Sequence, residues 1–313
     1  MEVIIQSGLL ILGFVLLIKG ADWFVDGAVG IATKFGIPQL VIGLTIVAMG
    51  TSAPEAAVSI SAAMKGTADI TIGNVVGSNI LNILIILGIS SIITSLAVAK
   101  STIKIETPFV IFVSLVLLAQ GLDGVISFMD GIILWVLFLI YLGYLFMLAK
   151  KEQDMGGPEE EDEVKHIPIS KALLLVVIGL GLIILGSSLA VDGATGLARF
   201  FGLSERFIGL TIVALGTSLP ELFTSVAAAR KKNADIAIGN IVGSNIFNIL
   251  FVVGTSALII PIEFAKPFIL DTFIAAAVAA LLLVCCLPKK KLTRGAGILM
   301  LICYVLYFVF VCL

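Results

Sequence analysis

Two glutamates stand where a carboxylate is expensive. Glu55 closes the segment GLTIVAMGTSAPE at residues 43–55, and Glu221 closes GLTIVALGTSLPE at residues 209–221, each inside a predominantly apolar stretch. A charged side chain at the centre of a membrane helix costs about 2.5–3.5 kcal/mol on insertion scales, so it needs a counter-charge, a proton or water. No Lys or Arg stands at equivalent depth in the apolar stretches at 38–63, 69–95, 205–228 and 235–260. A bound cation is the partner that remains, and cation binding is the chemistry these positions predict.

The surrounding residues suit that chemistry. Thr51, Ser52, Thr217 and Ser218 bring hydroxyls, and Pro54 and Pro220 interrupt the helix. Proline lacks an N–H and clashes with the carbonyl four residues before it, which predicts free carbonyls at Gly50 and Gly216. Irregular backbone at membrane depth is tolerated only when it is buried or lines a wet cavity. A second pair of segments reads DITIGNVVGSNILNIL at 69–84 and DIAIGNIVGSNIFNIL at 235–250. Asn74, Ser78 and Asn82 fall four apart and share one helical face, as do Asn240, Ser244 and Asn248.

Ser78, Asn82, Ser244 and Asn248 are read as ligand candidates, because they lie deeper, opposite the broken helices. Asn74, Asn79, Asn240 and Asn245 serve equally well as ligands or as hydrogen-bond links between helices, and Gly73-x-x-x-Gly77 and Gly239-x-x-x-Gly243 are close-packing signatures. Asp69 and Asp235 are expected to cap helix N-termini. The donors are all hard oxygens, with neither histidine nor thiol among them, which suits Na+ and Ca2+ and disfavours Zn2+ or Cu. Two glutamates balance one Ca2+ or two Na+.

These residues must be carried by membrane helices. Of 313 residues 60% are hydrophobic and 13% charged, with a mean hydropathy of +1.21; a soluble domain carries about 25% charged residues. Crossing a hydrocarbon core takes about 20 apolar residues. Ten spans are predicted, at 3–31, 38–63, 69–95, 107–121, 129–149, 170–197, 205–228, 235–260, 267–287 and 295–313. Basic residues such as Lys150, Lys151, Arg230, Lys231, Lys232, Lys289, Lys290 and Lys291 gather in alternate connections, which predicts both termini outside and the loop at 150–168 in the cytoplasm.

The two halves of the chain repeat each other. The GTSxPE segments match at eleven of thirteen positions and the GSNxxN segments at thirteen of sixteen, always at an offset of 166. Five spans per repeat is an odd number, so the second copy starts on the opposite side of the membrane. The expected architecture is an all-α membrane protein of ten transmembrane helices in two inverted five-helix repeats, with helices 2 and 7 broken. Such repeats set equivalent motifs against each other near the midplane, an arrangement of secondary transporters. The units are 1–149, an acidic cytoplasmic loop at 150–168, and 169–313. Within the loop, residues 159–163 are all acidic and read as a solvated linker. Cys285, Cys286, Cys303 and Cys312 all fall in the last two spans, where thiols act as small apolar groups.

The paired GTSxPE and GSNxxN segments resemble the two alpha repeats of Na+/Ca2+ exchangers in the cation/Ca2+ antiporter superfamily, and the likeness to the small prokaryotic members extends over nearly the whole chain. It implies alternating-access exchange of Na+ for Ca2+ in the plasma membrane, without a cofactor and without enzymatic chemistry; the partners are the two ions and the bilayer. It also implies that Glu55 and Glu221 hold Ca2+ together with the carbonyls of Thr51 and Thr217. Na+ would occupy the same centre and flanking positions, at Ala48, Ser52 and Ser78 on one side and Ala214, Ser218 and Ser244 on the other. Spans 1 and 6 would slide across the rest. Many members have an aspartate at one of the positions of Asn82 and Asn248; asparagine at both removes a charge and argues against K+ dependence. The alternatives are a cation/H+ antiporter on the same fold, a Ca2+ channel, and an intramembrane hydrolase, for which the serines lack a histidine partner.

Overall fold

The computed structural model describes residues 2–66, 68–154, 167–202 and 214–312. The described chain is helical apart from turns and four two-residue strands. In chain order the helices are α1 (Glu2–Phe35), α2 (Gln39–Thr51), α3 (Ala53–Met64), α4 (Ile70–Ile93), α5 (Thr102–Asp123), α6 (Phe128–Asp154), α7 (Ile169–Phe200), α8 (Ala214–Thr217), α9 (Leu219–Arg230), α10 (Ala234–Ile259), α11 (Lys266–Cys286) and α12 (Arg294–Cys312). Among the described residues eight helices are long and apolar enough to cross a membrane, and the pair α2 and α3, bent by 50°, raises the number to nine. The span expected at 205–228 falls partly on residues 203–213, outside the described residues. The acidic run at 159–163 lies outside them as well.

Burial separates an inner pair of helices from an outer shell. In the apolar window of α10, 94% of residues are buried, and in α4 72%, against 11% in α12 and 17% in α1. The outer helices expose Ile133, Val136 and Ile140 on α6 and Val305 and Val309 on α12. In water such a surface would aggregate; in lipid it needs no cover. The sequence segments that carry the repeated polar motifs are therefore the ones held farthest from lipid.

Helices α1 and α7 pack along one another in opposite senses through a seam of glycines. Gly13, Gly20 and Gly27 recur every seven residues, as do Gly179, Gly186 and Gly193. A Cβ on Gly13 would come within 2.5 Å of the Ala190 N, and one on Gly179 within 2.6 Å of the Phe24 N. Only glycine permits backbones this close, and a seven-residue period keeps one stripe of each helix on its partner. Where α10 crosses α2, Gly239 and Gly243 do the same against Gly43 and Leu44, which bears out the packing signature on that helix.

Short ladders fasten the halves at their loops. Strand β1 (Leu96–Ala97) pairs antiparallel with β4 (Lys291–Leu292), and β2 (Val125–Ile126) with β3 (Ile262–Glu263). Leu96 and Ile262 are repeat equivalents at the offset of 166, as are Val125 and Lys291. Each strand thus pairs with the equivalent of the other strand of its own half.

Two expectations need correction. The span placed at 107–121 begins at Thr102, because Thr102 and Glu106 lie on the buried face of a wide helical turn and are not loop residues. Asp235 is not the cap of α10: Asn233 holds that position, and Asp235 sits in the first turn, where a negative charge still favours the helix dipole.

Candidate cation site

The proline segments stop one helix and start another. Ser52 (φ −81°, ψ 4°) separates α2 from α3, and Ser218 (φ −90°, ψ 4°) separates α8 from α9. Pro54 and Pro220 fall in the first turns of α3 and α9, where a missing N–H is harmless because that donor would have no helical partner. Glu55 and Glu221 occupy the same first turns. Each carboxylate therefore lies at the positive end of a twelve-residue helix. Of the two carbonyls expected to be freed, that of Gly216 accepts a hydrogen bond from the Ser187 hydroxyl of α7 at 2.7 Å.

The glutamates are joined across the halves. Ser52 donates to Glu221 Oε1 at 2.8 Å, and Ser218 donates to Glu55 Oε1 at 3.3 Å. Both glutamates are buried, with 1% and 0% of their surface exposed, and they are near enough to feel each other's charge. Among the described residues neither has a basic partner. The second oxygen of each, Glu55 Oε2 and Glu221 Oε2, has no hydrogen-bond partner, and the same holds for Asn82 Oδ1 and Asn248 Oδ1. Buried acceptors are ordinarily satisfied by a donor. Four buried oxygens without one, two of them on carboxyl groups, are hard acceptors of the kind that suits a hard cation.

Around this centre the remaining motif residues fall into supporting roles. Asn74 donates to Ser59 Oγ at 2.9 Å and to the Glu55 carbonyl at 3.3 Å; Asn240 donates to Ser225 Oγ at 2.9 Å and to the Glu221 carbonyl at 3.4 Å. Both tie the glutamate-bearing helices α3 and α9 to the inner helices. Thr51 donates to Asn240 Oδ1 at 2.9 Å, which leaves the asparagine amide in a single orientation. Ser78 is buried in α4, and Thr217 is half-buried.

Ser244 donates to the Ala48 carbonyl at 3.4 Å, because α10 packs against the Ala48 end of the break, while α4 packs against α8, which starts at Ala214. Ser59 and Ser225 were not singled out by sequence. Their signal was present, since each lies four residues past its glutamate at the repeat offset. Glu106 was also passed over; it is fully buried and accepts a hydrogen bond from Tyr144 of α6.

Comparison with known proteins agrees over the whole length. The family described as sodium/calcium exchanger protein matches residues 5–147 and 171–313. The chain is 40% identical over 304 residues to the putative antiporter CaxA of Alkalimonas amylolytica, with 95% of each chain covered. It is 39% identical over 265 residues to the inner membrane protein YrbG of Escherichia coli (strain K12), with 83% of this chain and 82% of that one covered. Its fold is similar to that of the sodium-calcium exchanger NCX_Mj soaked with Na+ and Sr2+, with a TM-score of 0.85, 34% identity and 98% of both chains covered. A membrane-embedded pair of unpaired carboxylates, carried on a duplicated motif, is thus found where the whole sequence places it: the chain belongs to the sodium/calcium exchanger protein family.

Proposed function

We propose that this chain exchanges Na+ for Ca2+ across the plasma membrane as a secondary antiporter, with the ions as cargo and no resident cofactor. The observation that carries the reading is the buried pair Glu55 and Glu221, linked across the halves through Ser218 and Ser52, whose second oxygens have no protein partner. In this reading Ca2+ is held by both carboxylates and the carbonyls of Thr51 and Thr217, with Asn82 and Asn248 beside them. Na+ competes for the same centre and for flanking positions drawn from Ala48, Ser52, Ser78, Ala214, Ser218 and Ser244.

The fold proposed for this function has ten spans in two inverted five-helix units, 1–149 and 169–313, with both termini outside and the loop at 150–168 in the cytoplasm. The opposite senses of the equivalent helices α1 and α7 support the inversion, and so does the crossed pairing of the strands. Helices α1 and α7, locked together by glycine, are the element suited to slide across the inner helices. With the site empty, sliding would enclose two unpaired carboxylates, which is prohibitive in a medium of low dielectric. With Ca2+ or Na+ bound the charge is compensated and the step is open, so an ion must cross in each direction.

Reconstituted vesicles test this. Vesicles loaded with Na+ should take up labelled Ca2+ at clamped pH, and Glu55→Gln or Glu221→Gln should lower the rate by about a hundredfold or more, as expected when a buried charged ligand is lost. Uptake into vesicles holding neither Na+ nor Ca2+ would contradict obligatory exchange. Uptake driven by a pH gradient alone would replace Na+ with protons as the coupling ion.

A further inference from the structure

We infer that Asn79 and Asn245 form a reciprocal clasp whose work is to turn the carboxamides of Asn82 and Asn248 so that oxygen, not nitrogen, is offered to the cation. The inference rests on the reading of Asn82 and Asn248 as ligands. Its foundation is a chain of hydrogen bonds with only one consistent assignment. Asn79 donates through Nδ2 to the backbone carbonyl of Asn245 at 3.1 Å, and Asn245 donates through Nδ2 to the backbone carbonyl of Asn79 at 3.1 Å.

A backbone carbonyl only accepts, so the atom facing it in each side chain must be the nitrogen. The oxygen and nitrogen of an asparagine are otherwise hard to tell apart; here the backbone decides. Asn79 Oδ1 and Asn245 Oδ1 must therefore face the next side chains. Asn82 answers with Nδ2 to Asn245 Oδ1 at 3.0 Å, and Asn248 with Nδ2 to Asn79 Oδ1 at 3.2 Å. Nothing remains for Asn82 Oδ1 and Asn248 Oδ1, which are left buried without a partner.

A flip of either outer amide would set one oxygen against another in a dry interior, where an unmatched polar contact is most costly. It would also turn an NH2 group toward the cation. All four asparagines are at most 3% exposed, so water does not relieve either penalty. The clasp spans α4 and α10, one from each half, and each half orients the ligand of the other. Asn79 and Asn245 are thus positioning residues: they act on the ion through Asn248 and Asn82.

A carboxylate offers oxygen in either rotamer, and this separates orientation from packing. Ca2+ binding and its displacement by Na+ are measured at fixed pH for the parent, N79A, N248A, N248D and N79A/N248D, with thermal unfolding alongside. N79A is expected to weaken Ca2+ binding about tenfold in the parent, as for loss of a buried hydrogen-bond partner, and by much less in the N248D background. An equal loss in both backgrounds, following the drop in unfolding temperature, would reduce the clasp to a packing element. If N79A does not yield folded protein, N245A with N82D gives the same comparison from the other half. The ligand reading is tested separately: if N248A binds Ca2+ like the parent, that reading fails, whereas a weak N248A with an unimpaired N79A overturns the clasp alone.

Discussion

At the scale of residues, the unusual feature is a surplus of acceptors. Glu55 and Glu221 each receive one serine hydroxyl and keep one oxygen unmatched. Without an ion the folded state carries their repulsion, so replacing either carboxylate by an amide should raise the unfolding temperature of the ion-free protein by about 2–4 °C for each kcal/mol relieved. The same variants should lose the stabilisation that Ca2+ gives the parent, since a ligand stabilises only the state that binds it. Thermal unfolding in detergent with and without Ca2+ checks both; an amide variant that is less stable without ions and still stabilised by Ca2+ would contradict the account. The two glutamates were legible in the sequence because each is a charge in an apolar run. The roles of Ser59, Ser225 and Ser187 were not, because a small hydroxyl in a membrane helix bonds to whatever the fold brings near it. The asparagines could be chosen by face and spacing, but which of them clasp and which present oxygen depends on contacts between the halves.

At the scale of elements, the apolar pattern located the long helices of the described residues, and chemistry hid their ends. Helix α5 starts five residues before the expected 107 because Thr102 and Glu106 look like loop residues in sequence. The structure turns Glu106 inward, where Tyr144 of α6 donates to it. Tyr144→Phe should therefore destabilise the protein by about 1–3 kcal/mol, the penalty of a buried acceptor that loses its donor. Adding Glu106→Gln should recover part of that loss, because the pair is coupled; denaturation of the single and double variants measures it. The glycine seam makes a sharper claim. Gly186→Leu would drive a side chain into α1, whose Gly13 O and Leu17 N lie 2.8 Å from the Cβ position, while Gly8 has nothing within 4 Å. Overpacking of this kind costs about 1–3 kcal/mol, so Gly186→Leu should lose stability and transport together and Gly8→Leu should keep both, as vesicle flux and unfolding would record. The break expected from Pro54 is there at Ser52, where the helix restarts and the proline sits in the first turn of α3.

At the scale of the whole molecule, duplication explains more than any single contact. The repeat was plain in the sequence at its constant offset, and it predicted that the motifs would meet; the structure joins them by hydrogen bonds from Ser52 to Glu221 and from Ser218 to Glu55. What the repeat alone did not give was which partner each residue takes. Ser244 lies by Ala48, and each short strand pairs with the equivalent of the other strand of its half, as the proposed inversion of the two halves would have it. In the proposed reading neither half contributes a complete set of ligands, so that compensation of the site's charge and closure around it would be one event. Equilibrium binding of labelled Ca2+ tests this claim most directly, at fixed pH, with increasing Na+, for the parent and for E55Q, E221Q and the double variant. The account predicts binding that Na+ displaces in the parent and that is lost when either glutamate is replaced. Undiminished Ca2+ binding by the double variant would contradict it.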